Sequence, residues 1–352
     1  MRTFICNRIK VLLALSLCVG FSLTLCSNLV GQVQPRITIN DAAGEAAAIS
    51  YGGDPQFNAV VALILASNGS GDSYCTGVLI SPTTVLSARH CDIRTNEFVR
   101  FGPDSDNPTF STGISSFSYP FGGNDNSPLL DGGDFAIITL DSPVPSSVAT
   151  PLRLTDRTSS LVGEEVALIG YGGAGLGSVG GDSSNVLRWG SRNVIDQYGA
   201  AAESNSTGTN LISIDFDDGS AANNFTGSSV PLTLEGTVAQ GDSGGPVLIQ
   251  ENGEWLVAGV LSGGTTPGGV YGDVSWWTGV EPFKAQIEAA GGVFADLLLG
   301  DVNLDGLVDF SDIAPFIVLL SSSGFQVEAD LDQSGFVDFS DIAPFAQRLS
   351  GP

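Results

Sequence analysis

Gly241-Asp242-Ser243-Gly244-Gly245-Pro246 is the stretch on which the fold turns. Glycines on both sides of a serine let the backbone bend tightly and leave the hydroxyl exposed. The N–H groups of such a bend can point together at a developing oxyanion. Downstream, the apolar runs Val247–Gln250 and Trp255–Leu261 flank Asn252-Gly253, whose residues both tolerate positive φ and so predict a hairpin. Upstream, Val166–Tyr171, Phe135–Leu140, Gly77–Leu86 and Ala59–Ala66 are further apolar runs, separated by Gly, Ser, Asn, Asp and Pro clusters. Helical patterning between Tyr51 and Gly292 is confined to Glu281–Ala290, closed by Gly291-Gly292. Many short strands and one late helix predict an all-β barrel or sandwich.

Ser243 needs a base, and the chain has a single histidine, His90, in Ser87-Ala88-Arg89-His90-Cys91. A serine hydroxyl is a poor nucleophile until its proton is removed, and imidazole titrates in the useful range. The third partner is Asp134, at the mouth of the apolar run Phe135-Ala136-Ile137-Ile138-Thr139-Leu140, where it can be buried against an imidazole and fix its tautomer. The chain order His, Asp, Ser differs from that of the α/β-hydrolases and the subtilisins.

With these residues in view, the segment from about Ile49 to Gly291 resembles the trypsin/chymotrypsin family through Cys75-Thr76-Gly77-Val78-Leu79-Ile80, Ser87–Cys91, Asp134–Ile137 and Gly241–Pro246. The resemblance implies an all-β fold of two six-stranded barrels with a C-terminal helix. It implies His90 as general base, Asp134 as its orienting partner and Ser243 as nucleophile, with the N–H groups of Gly241 and Ser243 as oxyanion hole. Ser262 matches the serine beside the triad aspartate. Thr237, Ser262, Gly264 and Gly269 are assigned to the substrate pocket. Tryptic members carry an acid at the pocket floor, where this chain has Thr237, and the family's pocket disulfide is missing. An open, uncharged pocket is therefore expected, with cleavage after apolar or small residues. Arg89 stands where the family has a small residue.

The formal charge is −25, from 38 acidic and 13 basic residues. Such a chain repels nucleic acid and anionic membrane surfaces. Arg2, Arg8 and Lys10 precede an apolar run, Val11 to Leu25, that is short for a membrane span. Residues 1–31 are read as a signal peptide, cut between Cys26 and Gln32, so the mature protein is expected to be exported with no membrane span; Leu25 argues against a lipid anchor on Cys26. Cys75 and Cys91 then remain, either paired, as export favours, or as two buried thiols. The family resemblance places a disulfide at these positions, beside the histidine. Ile49-Ser50-Tyr51-Gly52-Gly53 faintly resembles the family's mature start. On one reading residues 32–48 are a propeptide and a new amine on Ile49 pairs with Asp242; on the other, Ile49–Gly53 is an ordinary surface strand.

Composition changes near Gly300. Val308-Asp309-Phe310-Ser311-Asp312-Ile313-Ala314-Pro315-Phe316 recurs identically at residues 337–345. Asp301, Asn303, Asp305, Asp309 and Asp312 fall at positions 1, 3, 5, 9 and 12 of a calcium-type loop, with Gly306 at the sharp turn and the Leu307 carbonyl at position 7. The copy supplies Asp330, Asp332, Ser334, Asp338 and Asp341, with Gly335 and the Phe336 carbonyl. Oxygen ligands at alternating positions wrap a hard cation. Ser311 and Ser340 are expected to cap the helices that follow, with Pro315 and Pro344 in their first turns. The duplicated loop and helix, ending in Asp rather than Glu, resembles a dockerin domain, the calcium-folded module that docks onto cohesin domains. The expected organisation is a protease domain over 49–295 and a small helical module over 299–352 with two calcium sites and a cohesin-like or cell-surface partner. Two classes of function follow: a secreted endopeptidase tethered by this module, or a calcium-dependent attachment protein whose protease fold only binds.

Overall fold

An apolar run without polar alternation must be covered on both faces. Every residue of Val60–Ile64 is buried, and alternate side chains enter two different cores. The computed structural model describes residues 37–350 except 66–72, 122–129, 158–160, 184–185, 202–205, 252, 296–297, 304–305, 323, 325, 333 and 335. The expected signal peptide lies outside the described residues.

The chain begins with β1 (Thr38–Ile39) and α1 (Glu45–Gly52), followed by β2 (Val60–Ile64), β3 (Ser73–Ser81), β4 (Thr84–Ser87), β5 (Phe98–Phe101), β6 (Phe110–Ser118) and β7 (Ala136–Leu140). Next come β8 (Arg153–Leu154), β9 (Glu165–Gly170), β10 (Ala174–Leu176), β11 (Gly180–Ser183), β12 (Trp189–Val194) and β13 (Gln197–Gly199). β14 (Leu211–Asp215), β15 (Gly236–Thr237), β16 (Pro246–Glu251), β17 (Glu254–Gly264) and β18 (Val274–Gly279) complete the strands, and α2 (Lys284–Ala289), α3 (Ile313–Ser322) and α4 (Ile342–Leu349) end the chain.

Strands β2-β3-β4-β7-β6-β5 close into an antiparallel barrel filled by Leu63, Leu79, Val85, Phe101 and Ile138. The second sheet runs β12-β9-β16-β17-β18-β14-β13, with β8 parallel to β17. It curls into a half-barrel beside the closed barrel, in keeping with the two-barrel arrangement expected from the sequence. The outer edge of β12 meets residues beside β15 through Arg192 N–H to Leu234 O, and a small sheet, β11-β10-β1-β15, stands there. Between barrel and half-barrel lies a shared core of Phe57, Ile64, Phe135, Ile169, Val260 and Phe283. The face-to-face stack of Phe135 on Phe283, 4.4 Å between centroids, joins the start of β7 to the turn before α2.

The hairpin expected at Asn252-Gly253 is formed by β16 and β17, which pair down to Glu251 opposite Glu254; Asn252 itself lies outside the described residues. Glu281–Ala290 is a 3₁₀ turn, Glu281–Phe283, that runs into α2. Residues 37–48 are packed onto the body of the uncut chain. Ile37 and Ile39 are buried against Trp189, and β1 is held between β10 and β15. Glu45-Ala46-Ala47-Ala48 opens α1, as alanine propensity and an acid in the first turn favour. In this uncut chain Ile49 lies inside α1 and not in a strand.

The C-terminal repeat has its own small core of Val302, Phe316, Ala329, Val337 and Phe345, with Phe316 stacked on Phe345 at 4.2 Å. The clustering of contacts places it in the same compact unit as the sheets, Gln34–Pro352. No helix among the described residues is long and apolar enough to cross a membrane.

Candidate active site

His90, Asp134 and Ser243 converge at the seam between the two sheets. His90 follows β4 in a single 3₁₀ turn, Arg89–Cys91, that ends on Asp92 in the left-handed region. The Cys75–Cys91 disulfide ties this turn to β3. Asp134 sits just ahead of β7 with no solvent exposure. Ser243 lies between β15 and β16, and its carbonyl accepts from Thr76 N–H of β3 at 2.8 Å. The barrel thus grips the serine loop directly.

The three side chains form an unbroken relay. His90 Nε2 is 2.8 Å from Ser243 Oγ, and His90 Nδ1 is 2.6 Å from Asp134 Oδ2. The other oxygen of Asp134 accepts the backbone N–H of His90 at 2.9 Å. Ser262 Oγ donates to Asp134 Oδ2 at 2.7 Å. The register of β17 slips between Leu261 and Gly263, and a bulge of this kind re-aims a side chain. Ser262, read from the sequence as lying beside this aspartate as well as among the pocket residues, turns its hydroxyl onto the carboxylate. Arg89 lays its guanidinium over the Tyr119 ring, 5.3 Å from the centroid, beside the histidine turn.

Gly241 adopts φ 96°, a conformation open to glycine at no steric cost. Its carbonyl is turned to Thr76 Oγ1 at 3.1 Å. Among the described residues neither Gly241 N–H nor Ser243 N–H is donated to a protein acceptor, while Asp242 N–H and Gly244 N–H both are. Asp242 is buried; its oxygens accept from Gly172 N–H at 2.8 Å and Ala239 N–H at 3.0 Å, bracing the loop from within. The carboxylate thus has these backbone partners in a chain that is uncut before Ile49.

Thr237, Gly264 and Gly269 are brought together beside this loop. Thr237 Oγ1 is 2.9 Å from Ser275 Oγ, and a side chain added at Gly264 would come within 3.0 Å of that same Ser275 oxygen. A Cβ on Gly269 (φ 59°) would press on the Val238 carbonyl and Thr38 Oγ1. The residues named here are neutral. Thr38 and Ser275 were missed from the sequence. Thr38 lay in the presumed lead, and Ser275 carries no motif of its own.

The acidic loops are less uniform than their repetition. Asp330, Asp332 and Asp341 each offer an oxygen within 4.8 Å of the others, a spacing and donor set that fit a hard cation. In the first loop Asp301 and Asp312 are buried; Asp301 Oδ2 accepts from Gly306 N–H, and Asp312 accepts from Asn303 and Asp309 N–H. Asp309, not Ser311, caps the 3₁₀ turn that leads into α3, accepting Ser311 N–H; Asp338 accepts Ser340 N–H, and α4 starts after Asp341 with no side-chain cap. Ser334 Oγ donates to the Phe336 carbonyl at 3.4 Å, and Leu307 and Phe336 are exposed. Asp305 and Gly335 lie outside the described residues. Pro315 and Pro344 fall in the first turns of α3 and α4.

A family model described as Trypsin matches residues 51–285, more than half of the chain and the whole of the seam that carries the relay.

Proposed function

The chain belongs to the trypsin family, and from that premise we propose that it is a secreted serine endopeptidase working through His90, Asp134 and Ser243. The observation that carries this reading is the relay from Ser243 Oγ through the imidazole to a carboxylate with no solvent exposure. His90 Nε2 takes the Ser243 proton as Oγ attacks the peptide carbonyl. The Gly241 and Ser243 N–H groups receive the oxyanion, and such donors contribute about 3–4 kcal/mol each in comparable sites. His90 then passes its proton to the leaving amine. Water, activated by the same nitrogen, releases the acyl group from Ser243. Asp134 holds Nδ1–H and orients the imidazole throughout. Thr237, Gly264 and Gly269 support a preference for apolar or small residues before the scissile bond.

The C-terminal repeat is assigned two calcium ions, the second held by Asp330, Asp332 and Asp341 and the first by Asp301, Asn303 and Asp312. Calcium, when bound, supplies a fixed positive charge among carboxylates that otherwise repel one another. The module is dockerin-like, and its exposed Phe310, Phe336 and Phe339 suit an apolar contact with a cohesin-like or cell-surface partner.

Hydrolysis of casein by the purified chain tests the enzymatic reading. Ser243→Ala is expected to lower kcat by about 10⁴-fold or more, and a fluorophosphonate is expected to label the unaltered chain at Ser243. Failure to label, with no hydrolysis by either form, favours the attachment-protein reading.

A further inference from the structure

One glutamate links the C-terminal repeat to the body of the protein. Glu328 is 3% exposed and lies in the 3₁₀ turn Val327–Ala329, directly before Asp330, the first residue of the second acidic loop. Its backbone carbonyl accepts Gly300 N–H at 2.8 Å, and Gly300 directly precedes Asp301, the first residue of the first loop. Its carboxylate is hydrogen-bonded to Arg157 Nη1, which belongs to the segment leaving β8. That guanidinium is 8% exposed and also contacts Glu251 Oε1, at the end of β16, at 3.0 Å. On the body side of the connection, residues 293–295 are held. Val293 and Ala295 bond to Leu154 of β8, with Leu154 N–H to Val293 O at 2.9 Å and Ala295 N–H to Leu154 O at 2.7 Å.

We infer that the repeat is a docked part of the catalytic body rather than a free tether, and that cation binding in its second loop is linked to the Arg157 clamp. The argument is one of shared geometry. Asp330 and Asp341 are buried and Asp332 is exposed, so the cation-facing oxygens depend on how the 327–330 turn is set. Arg157 sets that turn through Glu328, and a cation at Asp330 sets the same turn from the other side. Two events that both fix one segment favour each other, and the coupling is reciprocal. Partners of Glu328 removed from solvent are held in one geometry, since a buried carboxylate without its guanidinium is strongly disfavoured.

The inference rests on the calcium reading of the acidic loops, and the test separates the two. Calcium is titrated calorimetrically into the full chain carrying Ser243→Ala, which prevents self-digestion, and into the same chain with Arg157→Met. Long-range charge alone gives one sign: removing a cation from so acidic a chain strengthens calcium binding. The linkage gives the other, and about a 10-fold weakening at one of the two sites is expected with Arg157→Met. Equal or tighter binding overturns the linkage while leaving the calcium sites in place. No calcium uptake by the chain with Arg157 intact overturns the calcium reading and this inference with it. If Arg157→Met yields no folded protein, Arg157→Lys keeps the charge and loses the planar fork. It is expected to weaken the same site by a smaller factor, and unchanged affinity there counts equally against the linkage.

Discussion

Asp134 accepts three hydrogen bonds, two from His90 and one from Ser262. The backbone bond and the imidazole bond come from His90 in the 3₁₀ turn after β4, and the hydroxyl bond from Ser262 at the bulge in β17. Ser262 is thus a positioning residue, acting on the reaction through the carboxylate. Ser262→Ala removes one hydrogen bond to a charged group, an interaction of about 1.5–3 kcal/mol. The expected outcome is a fall in kcat of about 10-fold or more with KM little changed, because the pocket side of the strand is left alone. Ser262→Thr, which restores a hydroxyl, is expected to recover part of the loss; steady-state kinetics on one peptide substrate measures both. A fall in KM-dependent binding with intact kcat would place Ser262 in the pocket after all.

Among the elements, β1 and the loop from Phe216 to Glu235 were the least legible. The strands and Ser243 announce themselves through long apolar runs and a glycine cluster, because burial on both faces leaves a compositional trace. β1 has two residues, Thr38 and Ile39, and leaves none; its fit depends on β10 and β15, far along the chain. How far the second sheet closes was equally illegible, since closure depends on where the edge of β12 finds a partner, and apolar patterning is the same in either case. Removing residues through Ala48 is expected to lower the melting temperature by several degrees and to cost solubility, with circular dichroism and thermal melts as the measurement. A truncated chain beginning at Ile49 that melts like the full one would favour the propeptide reading.

The 216–235 loop is anchored by carboxylates: Asp215 accepts from Phe225 N–H, and Glu235 from Asp217 and Leu232 N–H. Burial, reinforced by the neighbouring acids, pushes Asp196 up to about 8, Glu235 to about 7 and Asp217 to about 6. A carboxyl group with a raised folded-state pKa binds more protons folded than unfolded, so its contribution is fully present below the ordinary carboxylate range. That contribution is lost as pH rises through the folded pKa. Stability is expected to fall between about pH 4 and pH 8 on this account. Asp217 Oδ1 has no hydrogen-bond partner among the described residues. Asp217→Asn is therefore expected to stabilise the protein by about 1 kcal/mol at pH 8 and hardly at all at pH 4. Urea melts at the two pH values check the sign.

At the scale of the whole molecule, the −25 charge is unevenly absorbed: the acids collect in the C-terminal loops, in the 215–235 region and around Arg157. The residues of the proposed triad stood out in the sequence because the chemistry proposed for them demands particular residue types in a particular order. The contact between repeat and body was not, because Arg157, Glu251 and Glu328 are scattered singly among ordinary surface-like sequence and only the fold brings them together. The pairing of residues 293–295 with Leu154 has a mechanical consequence. A pull on the C-terminal repeat, from a partner anchored to a surface or a fibre, would load the two backbone bonds between residues 293–295 and Leu154, with β17 paired behind β8. Because Ser262 of β17 is bonded to Asp134, such tension would reach the strand that positions the buried carboxylate.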